Sequence, residues 1–115
     1  MNKNKKGRKF GRKRDQRKAL LKSLARALIL HGKIATTEAK AKELRMFIEP
    51  MVTRSKDKSL QNVRFLNRYF DKIVLKKLFV DIGPKYKERN GGYTRVTKRT
   101  PRKTDSAKMA IVEFV

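Results

Sequence analysis

Apolar positions between residues 15 and 82 recur at helical spacing, and those after residue 93 alternate. Leu20, Leu24 and Leu28 repeat every four residues, with Leu21 and Ala27 beside them, which makes one apolar stripe. Arg14, Lys18, Lys22 and Arg26 repeat at the same interval, and at about 100° per residue they fall on the opposite face. Asp15 suits the positive end of the helix dipole and His31 the negative end. Gly32 is placed to end the helix as a left-handed C-terminal residue. The pattern therefore predicts a first helix over about 15–31, with one face for a core and one for phosphates.

Lys33-Ile34-Ala35-Thr36-Thr37 is too short for a helix and rich in β-branched residues, so it reads as a strand. Thr37 can cap a second helix, with Glu38 in its first turn. Ala41, Leu44, Ile48 and Met51 or Val52 form the inner stripe, Phe47 lies alongside, and Lys40, Lys42 and Arg45 lie outside. Pro50 should kink this helix, whose apolar spacing continues to about Arg54. Asp57-Lys58-Ser59 is a turn, and Ser59 caps a third helix with Leu60, Val63, Leu66 and Phe70 on one face. Asp71 caps a fourth, with the stripe Val74, Leu75, Leu78, Phe79 and Ile82, and Gly83-Pro84 should stop it. Asn90-Gly91-Gly92 is a flexible loop. Tyr93–Lys98 and Met109–Phe114 then read as two strands that pair antiparallel, with a basic loop around Pro101 between them. The order is helix-strand-helix-helix-helix-strand-strand, which is an α+β chain.

Charge adds a second layer to this picture. The 115 residues hold 33 Lys and Arg against 10 Asp and Glu, for a net charge of +23 and 38% hydrophobic residues. That length and apolar content support one small core and one domain. So high a charge repels itself unless a polyanion neutralises it, which points to nucleic acid. Ten basic residues lie within 1–18: Lys3, Lys5, Lys6, Arg8, Lys9, Arg12, Lys13, Arg14, Arg17 and Lys18. With Asp15 this stretch carries +9, and its apolar residues are Met1 and Phe10. Residues 1–14 therefore read as a basic arm that does not fold in isolation, and 15–115 as the globular domain.

Candidate chemistry is narrow. No cysteine is present and His31 is the single histidine, so neither a disulfide framework nor an imidazole zinc cluster can form. The acids are scattered and occupy helix starts and turns, so no catalytic pair, cofactor site or small-molecule substrate is expected. The longest apolar runs are too short to span a membrane, which needs about 20 residues. No secretory h-region follows the basic start, so the cytoplasm is the expected compartment. Phe47, Phe65, Tyr69, Phe70, Phe79 and Phe114 fall in or near the apolar stripes and read as core, whereas Tyr93 reads as exposed. Binding through phosphate and shape is expected, more than through base edges. A DNA-coating, nucleoid-type protein would have the same electrostatics.

Ile34-Ala35-Thr36-Thr37, Lys40-Ala41-Lys42-Glu43-Leu44-Arg45, Glu49-Pro50 and Thr53-Arg54-Ser55-Lys56 together resemble the signature of the bacterial large-subunit ribosomal protein seventeen family. Gly7-Arg8, Arg12, Leu78-Phe79, Gly83-Pro84, Gly91-Gly92-Tyr93-Thr94-Arg95 and Met109–Glu113 extend the resemblance over nearly the whole chain. The start differs, with Asn2-Lys3-Asn4 in place of a Met-Arg-His opening and Gln16 where the family carries a histidine before Arg17. The resemblance implies a two-layer sandwich of one sheet with helices on one face. It also implies a non-catalytic constituent of the cytoplasmic ribosome, on large-subunit ribosomal RNA near the nascent-chain tunnel exit, beside other ribosomal proteins of that subunit. Candidate RNA contacts are the basic residues of the arm, then Arg14, Arg17, Lys18, Lys22 and Arg26 on helix one. His31, Lys33, Thr36, Thr37, Lys40, Lys42 and Arg45 follow it, and Arg95, Lys98, Arg99, Arg102 and Lys103 lie in the final hairpin.

Overall fold

A computed structural model describes residues 14–115. Helix α1 spans Arg14–His31 and buries Ala25, Leu28 and Ile29. Of the anticipated stripe Leu28 is buried and Leu24 packs at the core margin, while Leu20, Leu21 and Ala27 are only half-buried, so the inward face is rotated toward Ala25 and Ile29. It ends where anticipated: Gly32 takes φ 82° and its N–H bonds the Leu28 carbonyl at 2.7 Å. Strand β1 (Lys33–Thr37) follows without a loop. Thr37 then caps α2 (Glu38–Ser55), its hydroxyl accepting from the Lys40 N–H at 3.3 Å. Helix α2 continues through Pro50, which is exposed, as is Met46, the residue whose carbonyl loses its N–H partner. Its inner row is Ala41, Leu44, Ile48, Met51 and Val52, all buried.

Ser59 caps α3 (Leu60–Asn67) and Asp71 caps α4 (Lys72–Lys77), each through its side-chain oxygen. Two expectations fail here. Leu60 does not join the buried face of α3; it is 65% exposed, and Phe65 packs against the core margin in its place. Gly83-Pro84 does not stop the fourth helix. The run widens into a π-helical turn, Leu78–Ile82, and then makes one more turn, α5 (Gly83–Lys85). The wider turn lets the Gly83 N–H reach the Leu78 carbonyl, five residues back, while Pro84, which has no N–H, sits where a new turn begins. Glycine is required at 83 for packing. A Cβ there would lie 2.2 Å from the Ser55 carbonyl oxygen.

Strands β2 (Thr94–Arg99) and β3 (Met109–Phe114) complete an antiparallel sheet of order β1-β3-β2. The register sets Ile34, Val112 and Val96 in one row and Thr36, Ala110 and Lys98 in the next. Alternation then gives the sheet an inner face of Ile34, Thr36, Thr94, Val96, Ala110 and Val112, all buried or half-buried. The helices cover that face, and the result is the two-layer α+β sandwich in the expected element order. Tyr93 departs from expectation. It is fully buried, because Val115 and the Tyr86 ring close over it and its hydroxyl meets Thr53 Oγ1 at 3.0 Å.

Candidate nucleic-acid interface

The α1 row is engaged along part of its length by neighbouring side chains. Lys18 and Lys22 place their ammonium groups 5.6 and 5.4 Å from the Tyr69 ring centre. Lys22 also donates to the Arg68 carbonyl at 3.3 Å, and Arg26 pairs with Asp71 at 3.3 Å. The row thus lies along the α3–α4 junction as a banked edge. The Val74 amide holds the Asp71 carboxyl below the usual carboxylate range, and the Arg26 guanidinium adds to this. Arg14 and Lys18 remain exposed and Arg17 half-buried.

A second basic surface joins residues far apart in sequence. Lys42 and Arg45 of α2 and Lys98 of β2 line one groove with Glu38, Met46 and Val96, a recess of about 520 Å³. Lys42 pairs with Glu38 at 3.2 Å across one helical turn. That hydrogen bond lowers the Glu38 pKa, and Lys98 and Lys108 lower it further. Beyond the groove the loop before β3 closes on itself. Arg102 bonds the Ala107 carbonyl through its backbone N–H at 2.9 Å, and its guanidinium reaches Asp105 at 3.5 Å. Arg99 at the end of β2 and Lys103 in this loop are exposed.

The remaining candidates divide by exposure. Lys33 is exposed on β1, and Arg95 on β2 pairs with its register partner Glu113 at 2.8 Å. His31 is exposed and rims a recess shared with Lys77, Asp81 and Lys85. Lys40 is half-buried. Two threonines leave the candidate surface: Thr36 is buried on the inner face of the sheet, and the Thr37 hydroxyl is engaged as the α2 cap. The arm residues Lys3, Lys5, Lys6, Arg8, Lys9, Arg12 and Lys13 lie outside the described residues.

Two features escaped the sequence reading. Glu49 organises the loop before β2: its carboxylate accepts from the Gly92 N–H at 2.9 Å, the Tyr93 N–H at 3.1 Å and Thr94 Oγ1 at 2.9 Å. A third set of cations, Arg54, Arg64 and Arg68, lines a recess on α3 with Leu60, Gln61 and Phe65. Arg64 and Arg68 were legible as a basic pair one helical turn apart. Their meeting with Arg54 depends on the α2–α3 turn.

The described residues thus form a small, strongly basic α+β protein with three cationic surfaces, several of whose acids serve as caps, ion-pair partners and one loop clamp. Comparison makes that class specific. A model of the family described as ribosomal protein L17 matches residues 20–115. A large ribosomal subunit protein bL17 of Fusobacterium nucleatum is 50% identical over 116 residues, all of both chains. One from Natranaerobius thermophilus is 52% identical over 108 residues, 93% of this chain and 96% of the relative. One from Clostridium beijerinckii is 47% identical over 109 residues, 94% and 96% of the two chains. The chain belongs to the ribosomal protein L17 family, and it is a ribosomal protein and not an enzyme.

Proposed function

We propose that this protein is a structural constituent of the large ribosomal subunit, held there by phosphate contacts to the large-subunit ribosomal RNA near the nascent-chain tunnel exit. The observation that carries the reading is the identity of about half the residues over the full length of a large-subunit protein, and the three cationic surfaces agree with it. The basic arm, residues 1–14, is the principal anchor, threaded between RNA segments. Arg14, Arg17, Lys18, Lys22 and Arg26 continue that anchor along α1. The groove of Lys42, Arg45 and Lys98, with Arg99 and Lys103 beyond it, is a second contact. Lys40, His31, Lys33, Arg95 and Arg102 are peripheral to these. Surface ion pairs such as Arg26–Asp71 and Lys42–Glu38 are no obstacle, because solvent screens them and phosphate can replace the carboxylate.

A DNA-coating role has the same electrostatics and is separated by one experiment. A lysate containing the tagged chain is sedimented through sucrose in moderate salt, with and without DNase. Co-migration with the large subunit that survives DNase is expected. Release by DNase overturns the ribosomal reading.

A further inference from the structure

No carboxylate lines the α3 recess, whereas an acid meets some of the basic side chains on the other surfaces. Arg26, Lys42, Arg95 and Arg102 each meet an acid within 3.5 Å. Arg54, Arg64 and Arg68 have no carboxylate partner among the described residues, and the recess they share is about 500 Å³ and open to solvent. Its construction is specific. Leu60 and Arg64 share the outer face of α3, and Arg68, four residues on at the C-terminal cap, continues the row. The Arg54 guanidinium comes from the end of α2 and lies over the Phe65 ring, 3.8 Å from its centre, steadied by Asn62 Oδ1 at 3.4 Å. Leu60 beside it is 65% exposed. The recess therefore combines a flat cation-on-aromatic stack, an apolar side chain open to solvent and two exposed guanidinium groups.

We infer that this recess receives an unpaired nucleotide of the bound RNA. The base lies against Leu60 and the Arg54–Phe65 stack, and its phosphate is held by Arg64 and Arg68. This rests on the RNA-binding reading above and adds a site to it. Unstacked bases are recognised on aromatic rings and guanidinium planes, and a duplex offers no free base face for such a platform. Guanidinium matches phosphate with paired N–H donors. An acidic protein segment would satisfy the charges but would leave the apolar platform uncovered. The place is also suitable: Arg68 accepts the Lys22 ammonium on its carbonyl, and Phe65 packs against Tyr69 at 5.4 Å, under Lys18 and Lys22. The recess is thus continuous with the α1 row, so one RNA strand can leave that row and deliver a base here.

The test uses the full chain bound to large-subunit ribosomal RNA carrying thiouridine. After near-ultraviolet irradiation, RNA-bearing peptides are mapped by mass spectrometry. The expected result is a crosslink within residues 60–68 that disappears in R64Q/R68Q, a variant of two exposed side chains whose folding circular dichroism checks. Crosslinks in the arm and α1 should persist in that variant, and its log–log salt slope of binding should shrink by roughly 1.4–1.8. Crosslinks in the arm or α1 with none in 60–68 overturn the recess while leaving the RNA reading intact. No crosslink anywhere, with no salt-dependent binding, overturns both. In the assembled subunit, a protein-to-protein crosslink at Lys58 that R64Q/R68Q abolishes, with no RNA on 60–68, assigns the recess to an acidic protein neighbour and also overturns the proposal.

Discussion

Single atoms decide several positions. At Gly83 the missing Cβ is the space occupied by the Ser55 carbonyl oxygen, 2.2 Å from where it would stand. Gly83→Ala must push α5 away from α2, and overpacking of this kind costs about 1–3 kcal/mol. Its thermal unfolding midpoint should fall by several degrees, whereas Gly91→Ala, with open space around its Cβ, should lower it through backbone conformation alone and by less. Glu49 is the second such position. Glu49→Ala strips the Gly92 and Tyr93 N–H groups and the Thr94 hydroxyl of their shared acceptor. Charge-assisted bonds are worth about 1.5–3 kcal/mol, and urea unfolding should show a loss of that size. Asp71 gives a pH signature. Its pKa is lowered in the folded state, first by the Val74 amide and then by Arg26. Its contribution is therefore complete above the unfolded carboxylate value and is lost as pH falls past that value through the lower folded one. Asp71→Asn should flatten this acid-side decline in a series of melts and leave the neutral-to-alkaline side parallel to the wild type. Asp71 was visible in the sequence as a cap. Glu49 was not, because its partners lie more than 40 residues away and nothing local marks a carboxylate as their acceptor.

Elements were largely legible where local signals agreed. Capping residues at Thr37, Ser59 and Asp71, together with apolar stripes of period 3.6, placed α2, α3 and α4, and β1 matched residue for residue. Thr37→Ala should cost about 1 kcal/mol by removing the α2 cap, measurable as a shift in the urea midpoint at unchanged slope. The failures came where tertiary packing overrode a local stop. Gly83-Pro84 looks like a helix terminus, but the buried neighbours Leu78, Ile82 and Tyr86 reward continuing the helical run against α2. Leu60 kept the spacing of a buried residue yet faces outward, because α3 is only two turns long and its core contact is made by Leu66. Strand order was equally out of reach of local pattern: β3, last in the chain, pairs with both other strands. Its amides should exchange with deuterium more slowly than those of β1 and β2, whose outer edges have no neighbouring strand in the sheet.

At the scale of the molecule, charge distribution and the core are in balance. The net charge of +23 is shared between the basic arm and a small body whose core is one cluster running from Ala25 to Val112. Removal of residues 2–14 takes away eight basic side chains and, among the described residues, only the exposed Arg14. The truncated chain should retain its circular dichroism and thermal midpoint but enter large subunits poorly in sucrose profiles; unfolding of the truncated chain would show that the arm is part of the fold. If ten phosphates are contacted, the full chain should bind RNA with a log–log salt slope of roughly −7 to −9, and the truncated chain with a visibly shallower one.

The amino-acid sequence by itself determined most of the helices and strands, their order, the caps and much of the inner stripes, because each follows from spacing, side-chain chemistry or composition along a short stretch of chain. Its i,i+4 spacing marked the Glu38–Lys42 pair, but it could not determine the pairs between elements, such as Arg26 with Asp71 and Arg95 with Glu113, that Thr36 is buried, or that Arg54 meets Arg64 and Arg68. Those depend on which elements pack together, and packing is set by the shared core and not by neighbours in sequence. The tertiary structure therefore decided how the positive charge beyond the arm is divided into a banked helix edge, a groove between α2 and β2, and an arginine recess on α3 whose charge no acid of its lining offsets.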